Sequence, residues 1–415
     1  MYKKKIVALF IVPLLFTGYF LTYNHEIPSI LTFNTGKKKI VIFTSSGGGG
    51  HVSASNALQE YLSDTYEVKV SYIFEEVLGS MDPMQRITFG KQTGEDAYNE
   101  CMRKKWYRMI NIISRFGHWY FSVFHKRATK LICNYLELQQ PDLVISVVPV
   151  INNAILSATK KMNIPFLLIP TDLDATTFVN SIYKPNYEKF HVGIAFDNEN
   201  IFKRMEQSGI PKEQISTIGF PIAKKFFTPK NMRRIKADFQ IPQNKPIVFL
   251  LMGAQGTNAL YTYVKYLTQV EQPFHLVAAI GKNEDMRKKL EAIALPTHIT
   301  MTIVGFTDRV ADLMAIADLG IIKSGTVTYI EALYSNLPVL LDATTGTIRW
   351  EQYNHIYNKE QEFGDSIGRN REIYVLVNEL LANPKTLAQI RKNIQTNKKK
   401  CLGREIKSLV HELVN

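Results

Sequence analysis

Cysteine is scarce in this 415-residue chain: Cys101, Cys133 and Cys401 stand far apart, odd in number, with no C-x-x-C spacing. That argues against a disulfide framework or a sulfur-ligated zinc site, so folding and chemistry are expected to be cysteine-free. Internal repeats and low-complexity segments are absent, as is any recognised nucleic-acid motif. Acidic residues are in deficit, 37 against 50 Lys and Arg, leaving a net charge of +13. Such a surface attracts nucleic acid, anionic lipid or anionic substrates without choosing among them. With no nucleic-acid motif beside the bases, no nucleic-acid partner is expected.

Long uncharged runs are almost absent too. The exception is Ile6 to Tyr23, preceded by Lys3, Lys4 and Lys5; as a helix it would measure about 27 Å, close to the hydrocarbon thickness. Residues 1–36 are therefore read as a membrane anchor or uncleaved signal with its linker. Asn24-His25-Glu26-Ile27 offers no small-x-small cleavage site, which favours retention. The leading lysines argue for a cytoplasmic N-terminus, which would put the body outside if the segment spans. Pro13 inside the run and Lys37 to Lys39 behind it leave open a shallow insertion with a cytoplasmic body, the expected arrangement.

The length calls for more than one core. Apolar runs at Lys39 to Thr44, Glu67 to Phe74, Asp142 to Val148, Phe166 to Pro170 and His191 to Phe196 read as buried strands with helical stretches between them. A second series starts after Pro246: Ile247 to Met252, His275 to Ile280, Thr300 to Val304, Leu319 to Ile322 and Val339 to Leu341. Two doubly wound α/β units facing a cleft account for this alternation. They are placed at residues 37–225 and 226–385, joined near Pro221 to Pro246, and residues 386–415 form a basic helical tail that can cross back onto the first unit.

The first strand ends in four consecutive glycines, Gly47 to Gly50, followed by His51 and a helical pattern from Val52 to Tyr61. Glycines admit positive φ and close approach, and the first N–H groups of a helix are unpaired at its positive pole. The turn can cradle an anion, and the pole should keep His51 a neutral imidazole able to accept a proton. A second glycine turn, Leu251 to Thr257 with Gly253 and Gly256, also ends a strand. Further on, Lys323-Ser324-Gly325-Thr326 delivers a small-residue turn to a helix carrying Glu331, whose carboxylate could accept hydrogen bonds from vicinal sugar hydroxyls. Residues 98–135 break the alternation by mixing bases with bulky rings, among them Arg103, Lys104, Lys105, Trp106, Trp119 and Tyr120. That mixture suits an interface with anionic lipid.

Taken in order, these motifs resemble the family of monogalactosyldiacylglycerol synthases and processive diacylglycerol glucosyltransferases, relatives of the lipid-II-forming N-acetylglucosaminyltransferase. The likeness covers most of residues 38–385. It rests on the glycine turn and His51, Thr171-Asp172, Gly219-Phe220-Pro221, the Met252 to Gly256 turn, Gly305-Phe306-Thr307-Asp308, the Lys323 turn with Glu331, and Glu351 with Asn354. Departures are Ser324 and Thr326, where the family has Pro and Gly, and Trp350, where it has Gln.

The resemblance implies two Rossmann-like domains of the B-type glycosyltransferase fold and a UDP-sugar as co-substrate. It places uracil by Gly305 and Phe306, ribose by Glu331, diphosphate by Gly256 and Ser324 to Thr326, and sugar by Glu351 and Asn354. A hexose would pass with inversion to diacylglycerol or a glycolipid entering by Gly49 and Gly50. His51 would serve as base, with Asp172 orienting it if the fold brings them together. No metal is expected, Asp172-Leu173-Asp174 being read as a coincidental Asp-x-Asp. The alternatives are a transferase acting on a polyprenyl-linked acceptor and an inactive nucleotide-sugar-binding membrane protein.

Overall fold

The computed structural model describes residues 36–253, 258–344, 346–397 and 399–415. The expected anchor, Ile6 to Tyr23, and Gly256 lie outside the described residues. Among the described residues no helix is long and apolar enough to cross a membrane.

Two six-stranded parallel sheets organise the chain. The first comprises β1 (Lys39–Thr44), β2 (Glu67–Tyr72), β3 (Leu143–Ser146), β4 (Phe166–Leu168), β5 (Phe190–Ile194) and β6 (Ile215–Thr217), in the order β2-β1-β3-β4-β5-β6. The second comprises β7 (Ile247–Leu251), β8 (Phe274–Gly281), β9 (Ile299–Gly305), β10 (Leu319–Lys323), β11 (Val339–Asp342) and β12 (Gly364–Ile367), ordered β12-β11-β10-β7-β8-β9. Helices cover both faces, so central strands such as Ile40-Val41-Ile42-Phe43 are buried throughout and read as continuous apolar runs. The sequence missed β6 and β12. Both are edge strands, Ile-Ser-Thr and Gly-Asp-Ser-Ile, with too little apolar content to stand out.

In each sheet the strand order turns back once, between β1 and β3 in the first and between β7 and β10 in the second. Open α/β sheets bind ligands outside the carboxyl ends of strands at such reversals. The glycine turn follows β1 and the Ser324 turn follows β10, so each leaves its sheet at a reversal.

The tail returns to the first unit. In the helix Leu402–Val414, Leu402, Ile406, Leu409 and Val410 pack with Ile40, Ala54, Leu58 and Tyr61. Where it crosses, Gly219 adopts φ +84°, and a Cβ there would strike the Lys400 carbonyl. Glycine is required at that junction on both counts.

The basic, aromatic region folds as three helices, Gly94–Arg103, Tyr107–Val123 and His125–Gln139. Trp106 and Trp119 are more than half exposed, at 53% and 57%. Tyr120 corrects the sequence reading. It is buried in the first core, and its hydroxyl donates to the Met81 carbonyl at 2.6 Å.

Candidate active site

The helix that carries His51 spans Gly49–Leu62 and starts three residues earlier than its sequence pattern, with Gly48 as N-cap at φ +79°. Gly49, Gly50 and His51 therefore form its first turn, although glycine is a poor helix former. Tertiary contacts hold them there. A Cβ on Gly50 would stand 3.2 Å from Val327 Cγ2, so the first turn of this helix meets the helix Thr326–Tyr334 of the second unit.

His51 Nδ1 lies 2.9 Å from Thr171 Oγ1, and that hydroxyl points on to the Val147 carbonyl at 3.5 Å. A relay in which Nδ1–H donates to Thr171 and Thr171 donates to Val147 leaves the Nε2 lone pair free. Burial pushes the imidazole down to about 4, the nearby Val147 carbonyl only partly opposing it. His51 is thus neutral at physiological pH, as expected, but desolvation is the leading cause where the sequence suggested the helix pole.

The expected pairing of Asp172 with His51 does not form. Thr171 takes that place, and the Asp172 carboxylate faces the other way, accepting from Thr326 Oγ1 across the cleft at 3.0 Å. Burial, then the charges of Glu351 and Asp174, push Asp172 up to about 7, with the Thr326 hydrogen bond opposing them. Asp174 is spent on Arg204 and Thr176, so the two carboxylates of the Asp-x-Asp sequence serve different partners.

On the second unit, both donors of the fully buried Asn354 amide are occupied, by the Ser324 carbonyl at 2.7 Å and by Thr326 Oγ1 at 3.0 Å. Asn354 thus shapes the Ser324 turn through its Nδ2, while its buried Oδ1 has no hydrogen-bond partner among the described residues. Glu351 is buried, 3.5 Å from Ser324 Oγ and 3.9 Å from Lys323 Nζ, and its carboxylate lies 3.7 Å from where a Cβ on Gly325 would stand. Burial raises Glu331 to about 7, with Lys225 opposing the shift. Phe306 is exposed, with Lys282 Nζ 5.0 Å over its ring; at the adjacent Gly305 a Cβ would press on Glu284 at 3.1 Å. Gly253 has φ +86° and open space around it.

The residues assigned to lipid separate. Trp106 and Trp119 project outward, whereas Arg103 and Lys104 are tied to Glu100 at 2.7 and 2.8 Å. Lys105 is half-buried at φ +56° and lies within the fields of Asp342 and Lys323, at the carboxyl ends of β10 and β11. It faces the second unit. Nearby, Asn111 accepts from the Arg349 N–H at 3.5 Å, and Ile348 and Trp350 pack with Cys101 and Ile110.

The glycine turn is the largest departure from the sequence reading, because the amides of Gly47 and Gly48 are already occupied. Gly47 N–H donates to Glu95 Oε1 at 3.1 Å and Gly48 N–H to Asn99 Oδ1 at 2.8 Å. Glu95 and Asn99 were missed as site residues. The sequence signal that could have found them is their i,i+4 spacing behind the Thr93–Asp96 capping box.

Comparison with known proteins completes the description. Residues 51–222 match the family model for monogalactosyldiacylglycerol synthase, and residues 247–413 match that for the glycosyltransferase family 28 C-terminal domain. A processive diacylglycerol beta-glucosyltransferase of Bacillus licheniformis is 24% identical over 86% of this chain and 91% of its own length. The protein of that name from Staphylococcus haemolyticus is 23% identical over 88% of each. Among solved structures, MurG of Acinetobacter baumannii superposes with a TM-score of 0.57 at 14% identity, over 91% of this chain and 99% of its own, a likeness of fold.

Proposed function

We propose that this chain, whose residues 51–222 and 247–413 match the monogalactosyldiacylglycerol synthase and glycosyltransferase family 28 C-terminal models, transfers a hexose, glucose or galactose, from a UDP-sugar to diacylglycerol or a glycolipid at a membrane surface. One observation carries the site assignment: consecutive residues, Thr171 and Asp172, hold the His51 imidazole on one side and the Ser324–Thr326 turn on the other. A neutral base thereby sits within reach of the turn assigned to the diphosphate.

In the proposed reaction the acceptor hydroxyl gives its proton to His51 Nε2 as its oxygen attacks the anomeric carbon. The bond from that carbon to the UDP oxygen breaks on the opposite face, so configuration inverts. Lys323 and the unpaired N–H groups at the start of the Thr326 helix stabilise the leaving diphosphate, with no metal in the scheme. Trp106 and Trp119 on the outer face of the first unit, with neighbouring bases, would rest at the lipid headgroups. This keeps the body on the membrane surface whatever residues 1–35 do.

The test offers radiolabelled UDP-glucose and UDP-galactose to the full chain with diacylglycerol, a glycolipid or a polyprenyl-linked acceptor. Transfer to the glycerolipid, lost in His51→Ala while UDP still binds in calorimetry, is the expected result. Transfer only to the polyprenyl acceptor, or UDP binding without any transfer, would overturn it.

A further inference from the structure

We propose that Glu95 and Asn99 are positioning residues that hold the glycine turn and, through it, His51; the functional part of this inference rests on the transferase reading above. Four successive glycines have no side chains to anchor them and lose much conformational freedom on ordering. One face of the helix Gly94–Arg103 supplies the anchors. Glu95 Oε1 accepts from the Gly47 N–H at 3.1 Å and from the Ser45 hydroxyl, while Glu95 Oε2 accepts from Ser46 Oγ at 2.9 Å. Asn99 accepts from the Gly48 N–H at 2.8 Å and returns a hydrogen bond to the Ser46 carbonyl at 3.1 Å. Glu75 Oε1 also lies 2.9 Å from Ser46 Oγ, closing the group.

Between these anchors the Tyr98 ring lies against the turn. Its ring is 3.7 and 3.8 Å from where Cβ atoms on Gly47 and Gly48 would stand. Glu95, Tyr98 and Asn99 fall at i, i+3 and i+4, so a single helical stripe covers the turn. The glycines make room for a helix of this same chain, and the carboxylate in their cradle is Glu95. Gly48 is the N-cap of the His51 helix, which makes Gly48 the pivot from which the imidazole is aimed.

The arrangement differs from general packing. Cys101 is the sole buried residue of the helix Gly94–Arg103, so both sheets and the Ser324 turn keep their cores without Glu95. Removing its carboxylate takes one acceptor from each of the Ser45, Ser46 and Gly47 donors, leaving Glu75 to Ser46 and the Ser45 hydroxyl to Gly47. The loss should loosen Gly48, from which the His51 helix starts, and open the part-exposed His51 ring further to water.

Glu95→Ala, Glu95→Gln and Asn99→Ala would be made in the full chain. Transfer kinetics would be measured beside the titration of His51 by NMR of protein labelled at histidine Cε1, with His51→Ala identifying the signal. For Glu95→Ala, kcat should fall about tenfold to a hundredfold, the scale of a catalytic group misplaced by about an ångström. KM for the UDP-sugar should stay within about twofold, because the hydrogen bonds of the Glu95 carboxylate all go to Ser45, Ser46 and Gly47 of the first unit. The His51 titration should rise from about 4 toward the ordinary 6.5 as the ring hydrates. Gln can still accept from Gly47 and hydrogen-bond Ser46, so Glu95→Gln should recover most of both. A Glu95→Ala protein whose His51 titration and kcat match the parent overturns the proposal, and so does a loss of UDP affinity as large as the loss of kcat. If His51 shifts in Glu95→Ala while His51→Ala stays fully active, the positioning stands and the base assignment falls.

Discussion

Asp172 gives the most quantitative prediction. Its carboxyl is pushed from the ordinary 3.8 to about 7, chiefly by burial and then by the charges of Glu351 and Asp174. A carboxyl whose pKa is raised by folding favours the native state while it is protonated, and that advantage is lost as pH rises from the unfolded value to the folded one. The fold is therefore weakened above about pH 4 and carries the full cost above about pH 7. At about 1.4 kcal/mol per tenfold change in the protonation equilibrium, the ceiling on that cost is about 4 kcal/mol, less the share belonging to Glu351. Asn in place of Asp172 removes the charge yet keeps an oxygen to accept from Thr326 Oγ1. Urea unfolding should find Asp172→Asn more stable than the parent by about 2–4 kcal/mol near pH 8, with the gap shrinking to about 1 kcal/mol or so near pH 5. Identical gaps at both pH values would refute the assignment of a buried, high-pKa carboxyl at the cleft.

Four further outcomes follow from other parts of the molecule. Ile406→Ala removes a fully buried side chain from the seam between the C-terminal helix and the first sheet; a loss of about 2–5 kcal/mol is expected in chemical denaturation. Gly219→Ala meets both a positive φ and the Lys400 carbonyl, so its melting temperature should fall further than that of Gly49→Ala, which has open space around it. The acid limb of kcat should lie well below the range of an ordinary histidine, because His51 is pushed down to about 4 by burial. Activity that declines below about pH 6.5 would mean that a different, less buried base is at work. Trp119→Ala should weaken sedimentation with phosphatidylglycerol-containing vesicles while leaving UDP affinity unchanged, since the ring is exposed on the helix Tyr107–Val123, away from the Ser324 turn.

What the sequence determined by itself was the part written in local periodicity and short motifs. Central strands buried on both faces must be nearly all apolar, so β1, β3, β7 and β10 could be read within a residue or two. The ordered motifs carried the resemblance to the family whose models match residues 51–222 and 247–413, and glycine followed by His51 marked the mouth of the first unit. Strands β6 and β12 escaped because Ile-Ser-Thr and Gly-Asp-Ser-Ile carry too few apolar residues, whereas the longer edge strands β2 and β9 carry enough to be read. The tertiary structure alone decided who meets whom. It put Thr171 on His51 and turned Asp172 toward Thr326. It also spent the Asn354 amide on the Ser324 turn, buried Tyr120, and filled the glycine cradle with Glu95. Each of these joins residues far apart in the chain, and their geometry depends on how two sheets and the helices between them pack, which no local spacing encodes.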